Sequence, residues 1–288
     1  MNTLPQEYVD NLVRAALAED IGAGDITTEA AVPADQRAEA SIVAKEPCVV
    51  AGLPLVEAVF TQIDRAIAVK LLVDEGATVK EGTRVCALEG SARGILTGER
   101  TALNFLQRLS GIATLTQQFV AKVAQASARV KPKILDTRKT TPTLRILEKY
   151  AVAVGGGTNH RMGLFDAMMI KDNHRVVLAR LGAKALGDAV ASARKNHPNA
   201  PIIIEADNLE QVEEALAAGA NHILLDNMTS DELREAVALV AGRAKTEASG
   251  GVRLDTVTAI ASTGVDFISV GALTHSAPAV DFSMELLD

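Results

Sequence analysis

The chain of 288 residues contains no tryptophan and only two cysteines, and aromatic residues make up 3% of the sequence. Base-stacking platforms for nucleic acids are therefore not expected, because they need aromatic side chains. Cys48 and Cys86 give no disulfide framework, and no Cys-x-x-Cys or Cys/His cluster predicts a zinc site. A reducing, cytoplasmic location is the expected one.

Long apolar runs and a basic surface are also missing. No uninterrupted hydrophobic segment approaches the roughly 18 residues that a membrane span needs, and the N-terminal segment is not expected to be a secretion signal. The net charge of −7 argues against nucleic-acid and polybasic membrane partners, since both require a positive surface. Residues 136–175 differ, because they carry a net charge of +3 and include His160 and His174. This basic segment predicts a site for a small anion.

Two regions of different periodicity follow each other along the chain. Short apolar runs between residues 38 and 90, separated by turns with Pro or Gly, predict several strands around one helix. A helix over 98–126, with a break near Gly111, comes next. From residue 131 onward six short strands alternate with amphipathic helices, which predicts right-handed βαβ units and a parallel sheet. The regular spacing of the later strands, and the absence of dinucleotide- and P-loop motifs, favour an α/β barrel over a Rossmann sheet.

Cationic residues follow two of the predicted strands and the loop between them. In a barrel, the C-terminal strand ends converge on one mouth, where active sites lie. Arg138, Lys139, Arg161 and Lys171 are therefore expected around one cavity. Arginine can bind a carboxylate or phosphate through two parallel hydrogen bonds, so this set predicts an anionic substrate.

Acidic residues and glycines follow the remaining strands. Glu205 and Asp226 supply hard oxygen ligands suited to Mg²⁺, which usually shares its coordination sphere with substrate phosphates. The segment Ser249-Gly250-Gly251 and Gly271 follow the last two strands, where backbone N–H groups can approach a phosphate closely. Together with the cationic donors, they predict a phosphorylated, pyrophosphate-bearing sugar and a carboxylate co-substrate.

A series of motifs runs along the chain from about residue 19 to residue 276. They include Glu19-Asp20-Ile21-Gly22-x-Gly24-Asp25, Gly98-Glu99-Arg100-Thr101-Ala102-Leu103-Asn104, Asp136-Thr137-Arg138-Lys139-Thr140-Thr141-Pro142, Asn159-His160-Arg161, Lys171-Asp172-Asn173-His174, Leu225-Asp226-Asn227-Met228 and Ser249-Gly250-Gly251. In this combination and order the sequence resembles the quinolinate phosphoribosyltransferase family, the carboxylating nicotinate-nucleotide pyrophosphorylases. Thr143 is a departure, because the family usually has glycine there.

The resemblance implies an architecture and an activity. The implied fold is α/β, an N-terminal sandwich-like domain plus an incomplete α/β barrel, known as the type II phosphoribosyltransferase fold. The domains are expected at residues 1–112 and 113–274, with the tail 275–288 packing back on the first. The implied enzyme is a pentosyltransferase that joins the phosphoribosyl group of phosphoribosyl pyrophosphate to quinolinate with decarboxylation. Nicotinate mononucleotide for NAD biosynthesis, CO₂ and pyrophosphate are the products, and Mg²⁺ is the cofactor.

The resemblance also implies residue roles, which fall into overlapping sets. The catalytic set is Lys139, Lys171, Glu205 and Asp226, with Glu205 and Asp226 as the metal ligands. The quinolinate set is Arg100, Thr137, Arg138, Lys139, His160, Arg161 and Lys171. The phosphoribosyl pyrophosphate set is Lys139, Lys171, Glu205, Asp226, Ser249, Gly250, Gly251, Val270, Gly271 and Ala272. A homodimer or higher homo-oligomer is implied, in which Arg100 reaches the neighbouring active site.

Two alternatives remain open at this level. A relative with the same fold could act on nicotinate, or serve another pathway such as molybdate metabolism, although the density of Arg and Lys favours the dicarboxylate. A non-catalytic carrier module belongs to a different class. Its support is a lipoyl-like segment over residues 74–89 with Lys80 as the modified residue, and a plain structural sandwich is the simpler interpretation.

Overall fold

The computed structural model describes residues 3–128, 131–182 and 184–287. The chain folds into two compact units. The first comprises Met1–Gln117, Thr141–Gly156 and Ser276–Asp288, and the second comprises Gln118–Thr140 and Gly157–His275. Within the described ranges, no helix combines the length and apolar character that crossing a membrane requires.

The first unit combines helices with antiparallel strands. Its elements, numbered in chain order through the whole protein, are α1 (Gln6–Ile21), α2 (Ile26–Ala31), β1 (Arg37–Ala44), β2 (Cys48–Val49), α3 (Leu53–Ile63), β3 (Ala68–Leu71), β4 (Thr78–Val79), β5 (Arg84–Ser91), α4 (Ala92–Ala124), α5 (Arg145–Val154) and β12 (Phe282–Leu287). Four strands form a sheet in the order β12-β1-β5-β3, and β2 pairs with β4. Helix α4 continues into the second unit.

The C-terminal tail is part of the first unit's sheet. Strand β12 runs antiparallel to β1, with Ala44 opposite Phe282 at one end of the pairing. The predicted break of the long helix near Gly111 is wrong, because α4 is continuous across that residue. A Cβ at Gly111 would lie 2.0 Å from the Pro278 carbonyl oxygen. The glycine therefore serves close packing of the tail rather than a bend in the helix.

Residues 141–156 lie with the first unit, whereas the predicted boundary after residue 112 assigned them to the barrel. They are held there by polar contacts of α5. Glu148 is fully buried and its carboxylate accepts a hydrogen bond of 2.8 Å from the Arg108 guanidinium. The Tyr150 hydroxyl donates to a Glu75 carboxylate oxygen at 3.0 Å. These contacts link residues far apart in sequence, and periodicity carries no signal of them.

The second unit alternates parallel strands with helices. Its elements are β6 (Lys133–Leu135), β7 (Met168–Ile170), α6 (Asp172–Ala179), α7 (Ala185–Asn196), β8 (Ile202–Ala206), α8 (Leu209–Ala218), β9 (His222–Asp226), α9 (Ser230–Val240), β10 (Lys245–Ser249), α10 (Val257–Ala261), β11 (Phe267–Ser269) and α11 (Ala272–His275). Strands β8 and β9 consist largely of buried apolar residues, as expected for parallel strands covered on both faces.

The six parallel strands form an incomplete barrel. Their order is β6-β11-β10-β9-β8-β7, so β7 to β11 each pair with the next strand in sequence, and β6 pairs with β11. Among the described residues, β6 and β7 do not pair with each other, and this gap leaves the barrel open. Because all six strands are parallel, their C-terminal ends lie at the same end of the unit.

Candidate active site

A cavity of about 810 Å³ lies within the second unit at the C-terminal ends of its strands. It is lined by residues from the end of every barrel strand or from the loop that follows. They are Asp136, Thr137, Arg138, Lys139, His160, Arg161, Met169, Lys171, Asp172, Glu205, Leu224, Asp226, Asn227, Glu247, Ser249, Gly250, Gly251, Val252, Arg253, Ser269, Gly271, Ala272 and His275. A pocket of this size accommodates a small substrate pair.

Asp136 organises the cationic side of this cavity. Its side chain is fully buried at the end of β6. One carboxylate oxygen accepts the backbone N–H of His160 at 2.8 Å, and the other accepts the Asn159 side-chain amide at 2.7 Å. The loop that carries Arg161 is thereby attached to the strand that precedes Arg138, and the two arginines lie close together.

The two arginines differ in how their guanidinium groups are satisfied. Arg161 donates to the Ala167 carbonyl oxygen at 3.1 Å. Burial, together with the positive charge of Arg138, lowers its pKa below the ordinary arginine value, although arginine remains protonated in proteins. Arg138 Nε is buried and makes no hydrogen bond within the part of the chain that the structure describes. A buried cationic donor without a partner is costly, and an anion in the cavity would satisfy it.

Glu205 and Asp226 form the acidic side of the cavity, at the ends of the adjacent strands β8 and β9. One Glu205 oxygen lies 3.5 Å from the Lys171 ammonium, and the other accepts the Asp172 backbone N–H at 3.2 Å. The Asn227 side-chain amide donates to Asp226 at 2.6 Å. No group of three or more His, Cys, Asp or Glu side chains suited to a metal occurs among the described residues. Two carboxylates fit Mg²⁺, which completes its sphere with water and substrate phosphates.

Glycines shape the loops after β10 and β11. Gly250 has a positive φ of 92°, and a Cβ there would lie 2.1 Å from the Asn227 side-chain oxygen. A Cβ at Gly271 would lie 3.1 Å from Lys139 Cδ. A side chain at position 250 would displace Asn227, so close approach requires glycine there, whereas one at position 271 would need only a small shift of the Lys139 side chain. The exposed backbone of Gly250 and Gly251 is available to an anion.

A buried polar cluster of Glu247, His160, His222 and Ser269 lies at the wall of the cavity. The Glu247 side chain is 1% exposed. One of its oxygens lies 2.8 Å from His222 Nε2 and 3.3 Å from His160 Nε2, and the other accepts the Ser269 hydroxyl. Burial alone would raise the pKa of Glu247, but the close contacts of the two histidines outweigh it and lower the pKa to about 2. The carboxylate is therefore ionised.

The structure brings most of the predicted site residues to this one cavity. Those that line it are Thr137, Arg138, Lys139, His160, Arg161, Lys171, Glu205, Asp226, Ser249, Gly250, Gly251, Gly271 and Ala272. Val270 does not line it, because its side chain is buried and its N–H donates to the Leu135 carbonyl oxygen at 2.9 Å. Arg100 lies exposed on α4 in the first unit.

Several residues of the cavity were missed by sequence reasoning. Asp136 and Asn227 lie inside motifs that the sequence analysis quoted, and their position beside a strand end was an available signal. Glu247 lies within strand β10, and it carried no such signal because a charged residue in a strand can equally face solvent. The substrate contact of His160 stays a prediction, and both of its ring nitrogens lie near protein groups. Nε2 faces Glu247, and Nδ1 accepts the Arg161 backbone N–H at 2.7 Å.

Comparisons with known proteins identify the family. Residues 25–110 match the family described as quinolinate phosphoribosyl transferase, N-terminal domain, and residues 112–285 match the corresponding C-terminal domain. The probable nicotinate-nucleotide pyrophosphorylase (carboxylating) of Synechocystis sp. is 44% identical over 288 residues, which cover 98% of this chain and 94% of the relative. The protein of the same description from Bacillus subtilis (strain 168) is 42% identical and covers 93% and 90% of the two chains. The crystal structure of NadC from Streptococcus pyogenes, 40% identical, matches the whole of both chains with a TM-score of 0.92.

The incomplete barrel and the preceding unit thus form the type II phosphoribosyltransferase fold. Both family matches together extend over most of the chain, and the relatives cover nearly all of it at above 40% identity. The chain belongs to the quinolinate phosphoribosyltransferase family.

Proposed function

We propose that this protein transfers the 5-phosphoribosyl group of phosphoribosyl pyrophosphate to quinolinate with decarboxylation, and so supplies nicotinate mononucleotide for NAD biosynthesis. One observation carries the proposal. A single cavity holds cationic side chains, including the buried and unsatisfied Arg138 Nε, together with two carboxylates at adjacent strand ends. This combination suits one anionic acid and one metal-bound pyrophosphate.

Quinolinate binds on the cationic side of the cavity. As a dianion it offers two carboxylates, and arginine matches a carboxylate with two parallel donors. Arg138 and Arg161 each contact one carboxylate, and Arg138 Nε gains the partner that it lacks. Thr137 and Lys139 lie beside them, where the Thr137 hydroxyl accepts the Lys139 backbone N–H at 3.0 Å and fixes the turn. His160 contributes through the backbone of Arg161.

Phosphoribosyl pyrophosphate occupies the opposite side. Glu205 and Asp226 would hold Mg²⁺, which would neutralise the charge of the pyrophosphate leaving group. The backbone of residues 249–251 and the loop from Gly271 to Ala272 surround the phosphates. Lys171, whose ammonium lies 3.5 Å from Glu205, contacts the pyrophosphate and stabilises the charge that develops on it.

The reaction proceeds by positioning and electrostatics. Loss of pyrophosphate leaves positive charge on the ribose ring, which the carboxylates of Glu205 and Asp226 stabilise. The quinolinate nitrogen attacks the sugar at C1 and becomes a pyridinium. The pyridinium then stabilises the carbanion that remains when the adjacent carboxylate leaves as CO₂, and the carbanion is protonated. No nucleophilic side chain forms a covalent intermediate, because holding the two reactants together supplies the rate gain.

A second copy of the chain completes the site. Arg100 is exposed on α4, outside the cavity residues of its own chain. We place its guanidinium in the cavity of a partner subunit, where it adds a further cation for quinolinate, in a homodimer or higher homo-oligomer. Mixing Arg100→Ala chains with Arg138→Ala chains should restore activity, because one site of the mixed dimer then has both arginines. Activity that does not recover would contradict the shared site.

A cytoplasmic location accompanies the proposal. Cys48 and Cys86 are both free and buried. Burial, with smaller contributions from nearby glutamates, raises the pKa of Cys48 to about 11 and of Cys86 to about 12, so both thiols stay protonated at neutral pH. Two inert thiols suit a reducing compartment. Cell fractionation with antibody detection tests this assignment, and enrichment with membranes or in the external medium would contradict it.

The test of the reaction compares two acids in one assay. The purified protein is incubated with phosphoribosyl pyrophosphate, Mg²⁺ and either carboxyl-labelled quinolinate or nicotinate. We expect CO₂ and nicotinate mononucleotide from quinolinate, loss of both products when Mg²⁺ is chelated, and turnover of nicotinate slower by at least a hundredfold, on the order expected when buried cations are left unpaired. Preferred use of nicotinate would replace the proposal with the first alternative. No turnover of either acid would overturn it.

A further inference from the structure

Glu247 belongs to none of the predicted sets of site residues, yet its carboxylate is almost completely buried in the cavity wall. The side chain is 1% exposed and lies on β10. An isolated carboxylate is costly to bury and is retained when several donors satisfy it. Here the Ser269 hydroxyl donates to one oxygen, and Nε2 of His160 and of His222 lie 3.3 and 2.8 Å from the other as ion-pair contacts that are not aligned as hydrogen bonds.

The carboxylate determines which nitrogen of each imidazole carries the proton. An ionised carboxylate only accepts hydrogen bonds. His160 Nε2 and His222 Nε2 both face the same Glu247 oxygen, at 3.3 and 2.8 Å, and must both be donors. His160 Nδ1 accepts the backbone N–H of Arg161 at 2.7 Å. The ring is therefore neutral, with its proton on Nε2, and the opposite tautomer would set two donors against each other at Arg161.

The ring of His160 fixes the position of Arg161. The backbone of Arg161 is held through Nδ1 of His160, and its guanidinium is held at the other end by the Ala167 carbonyl oxygen. This double attachment holds a second guanidinium beside Arg138, although burial and, to a smaller extent, the charge of Arg138 lower the pKa of Arg161. The position of Arg161 thus depends on a series of contacts that begins at Glu247, with the Glu247–His160 ion pair at 3.3 Å and the hydrogen bond from the Arg161 backbone to His160 Nδ1.

We propose that Glu247 is a positioning residue, which holds His160 as the Nε2–H tautomer and thereby orients Arg161 toward the acid substrate. This inference rests on the proposed function for the identity of the acid. Its structural part, the tautomer of His160, can be tested in the free enzyme without any turnover.

The first measurement is the tautomer itself. With ¹⁵N-labelled histidine, and a His160→Gln variant to assign its signals, we expect His160 to show a protonated Nε2 and an unprotonated Nδ1 at neutral pH. In Glu247→Leu the acceptor is removed, and the two His160 nitrogens should move toward averaged values. A wild-type His160 protonated on Nδ1, or on both nitrogens, would overturn the proposal whatever the enzyme's activity.

The second measurement separates the two substrates. Glu247→Leu should raise the KM for quinolinate about tenfold, as expected for loss of a charge-assisted hydrogen bond, and change the KM for phosphoribosyl pyrophosphate less than about twofold. Glu247→Gln keeps one acceptor oxygen and the shape of the side chain, so the KM for quinolinate should rise only about threefold. His222→Gln, the matched control, keeps an N–H donor for Glu247 and the Glu247–His160 pair, and its two KM values should stay within about twofold of wild type.

The outcomes separate the inference from the proposed function. An equal rise in both KM values would make Glu247 a general structural residue and overturn the positioning role, and so would unchanged quinolinate kinetics in Glu247→Leu. If Glu247→Leu does not fold, Glu247→Gln and the wild-type spectrum decide the matter alone. If wild type lacks quinolinate turnover but shows the predicted His160 tautomer, the proposed function is wrong, whereas the positioning of Arg161 by Glu247 through His160 is retained.

Discussion

Arg138 gives the sharpest test of the cavity, because its guanidinium is only partly satisfied in the protein. Its Nε is buried and lacks a hydrogen bond within the described residues. Replacement by lysine keeps the positive charge but removes Nε and the paired donors of the guanidinium. If Nε and its neighbouring donor bind a quinolinate carboxylate, Arg138→Lys should lose binding to the acid and gain nothing in return.

The size of the loss follows from the bond that disappears. A hydrogen bond to a charged group contributes about 1.5–3 kcal/mol. Loss of one such bond lowers kcat/KM for quinolinate by a factor of about 10 to 150. Arg138→Ala also removes the charge and should lose more. In contrast to kcat/KM, the free energy of unfolding of Arg138→Lys should rise by about 1 kcal/mol, because the substitution removes a buried donor that has no partner in the substrate-free protein.

The assay combines steady-state kinetics with urea unfolding on the same preparations. Arg234→Lys is the matched control, because Arg234 is an exposed residue on α9, paired with Asp231. The control should keep wild-type kcat/KM and stability. If Arg138→Lys keeps kcat/KM within about twofold of wild type, or if it loses both activity and stability in step, Arg138 is a structural residue and the reasoning fails.

Three further predictions concern stability, all measured by urea unfolding. Thr143 has a positive φ of 69°, so Thr143→Gly should raise the unfolding free energy by about 0.5–1 kcal/mol, and a lower midpoint would contradict this backbone strain. Gly250→Ala should lower the unfolding free energy by about 1–3 kcal/mol, and by more than Gly251→Ala does. Both glycines have a positive φ, but only Gly250 has close neighbours where a Cβ would lie, so equal losses would refute the crowding argument. Burial opposes ionisation of Asp266, but contacts with Lys245 and Thr246 lower its pKa below the ordinary value of 3.8. The ionised carboxylate therefore stabilises the folded protein above pH 3.8, and this stabilisation is lost as the pH falls through the lower folded pKa. Asp266→Asn should flatten this loss of unfolding free energy with pH, and an unchanged slope would contradict the assignment.

The barrel and its mouth could be predicted from sequence because the signals are local. Most of the strands are short apolar runs that end on or just before a polar residue, and parallel strands must bring those ends together. Lys171, Glu205 and Asp226 follow three successive strands, β7 to β9, and the structure places all three in the cavity. This prediction needs only the direction of the strands and their order along the chain, and no knowledge of side-chain packing.

Other features depend on contacts that no local pattern encodes. Gly111 resembles a helix breaker, yet it lies inside a continuous helix because the tail near Pro278 packs against it. Glu247 is one of several polar residues in β10, and the register of the barrel decides that it faces the cavity. Likewise, sequence reasoning named His160 as a substrate contact, while its ring is engaged by Glu247 and by the backbone that follows.

The number of charged residues that line the cavity does not by itself locate an anion site. The lining contains five Arg or Lys residues and five Asp or Glu residues, so the count alone favours neither sign. The hydrogen bonds separate them. Asp136 accepts two hydrogen bonds from the loop at His160, and Glu247 accepts the Ser269 hydroxyl and faces two imidazole nitrogens, so both carboxylates have protein donors or imidazoles beside them. Arg138 Nε lacks such a partner. Under the proposed function, this unpartnered donor makes Arg138 the expected contact of the acid substrate.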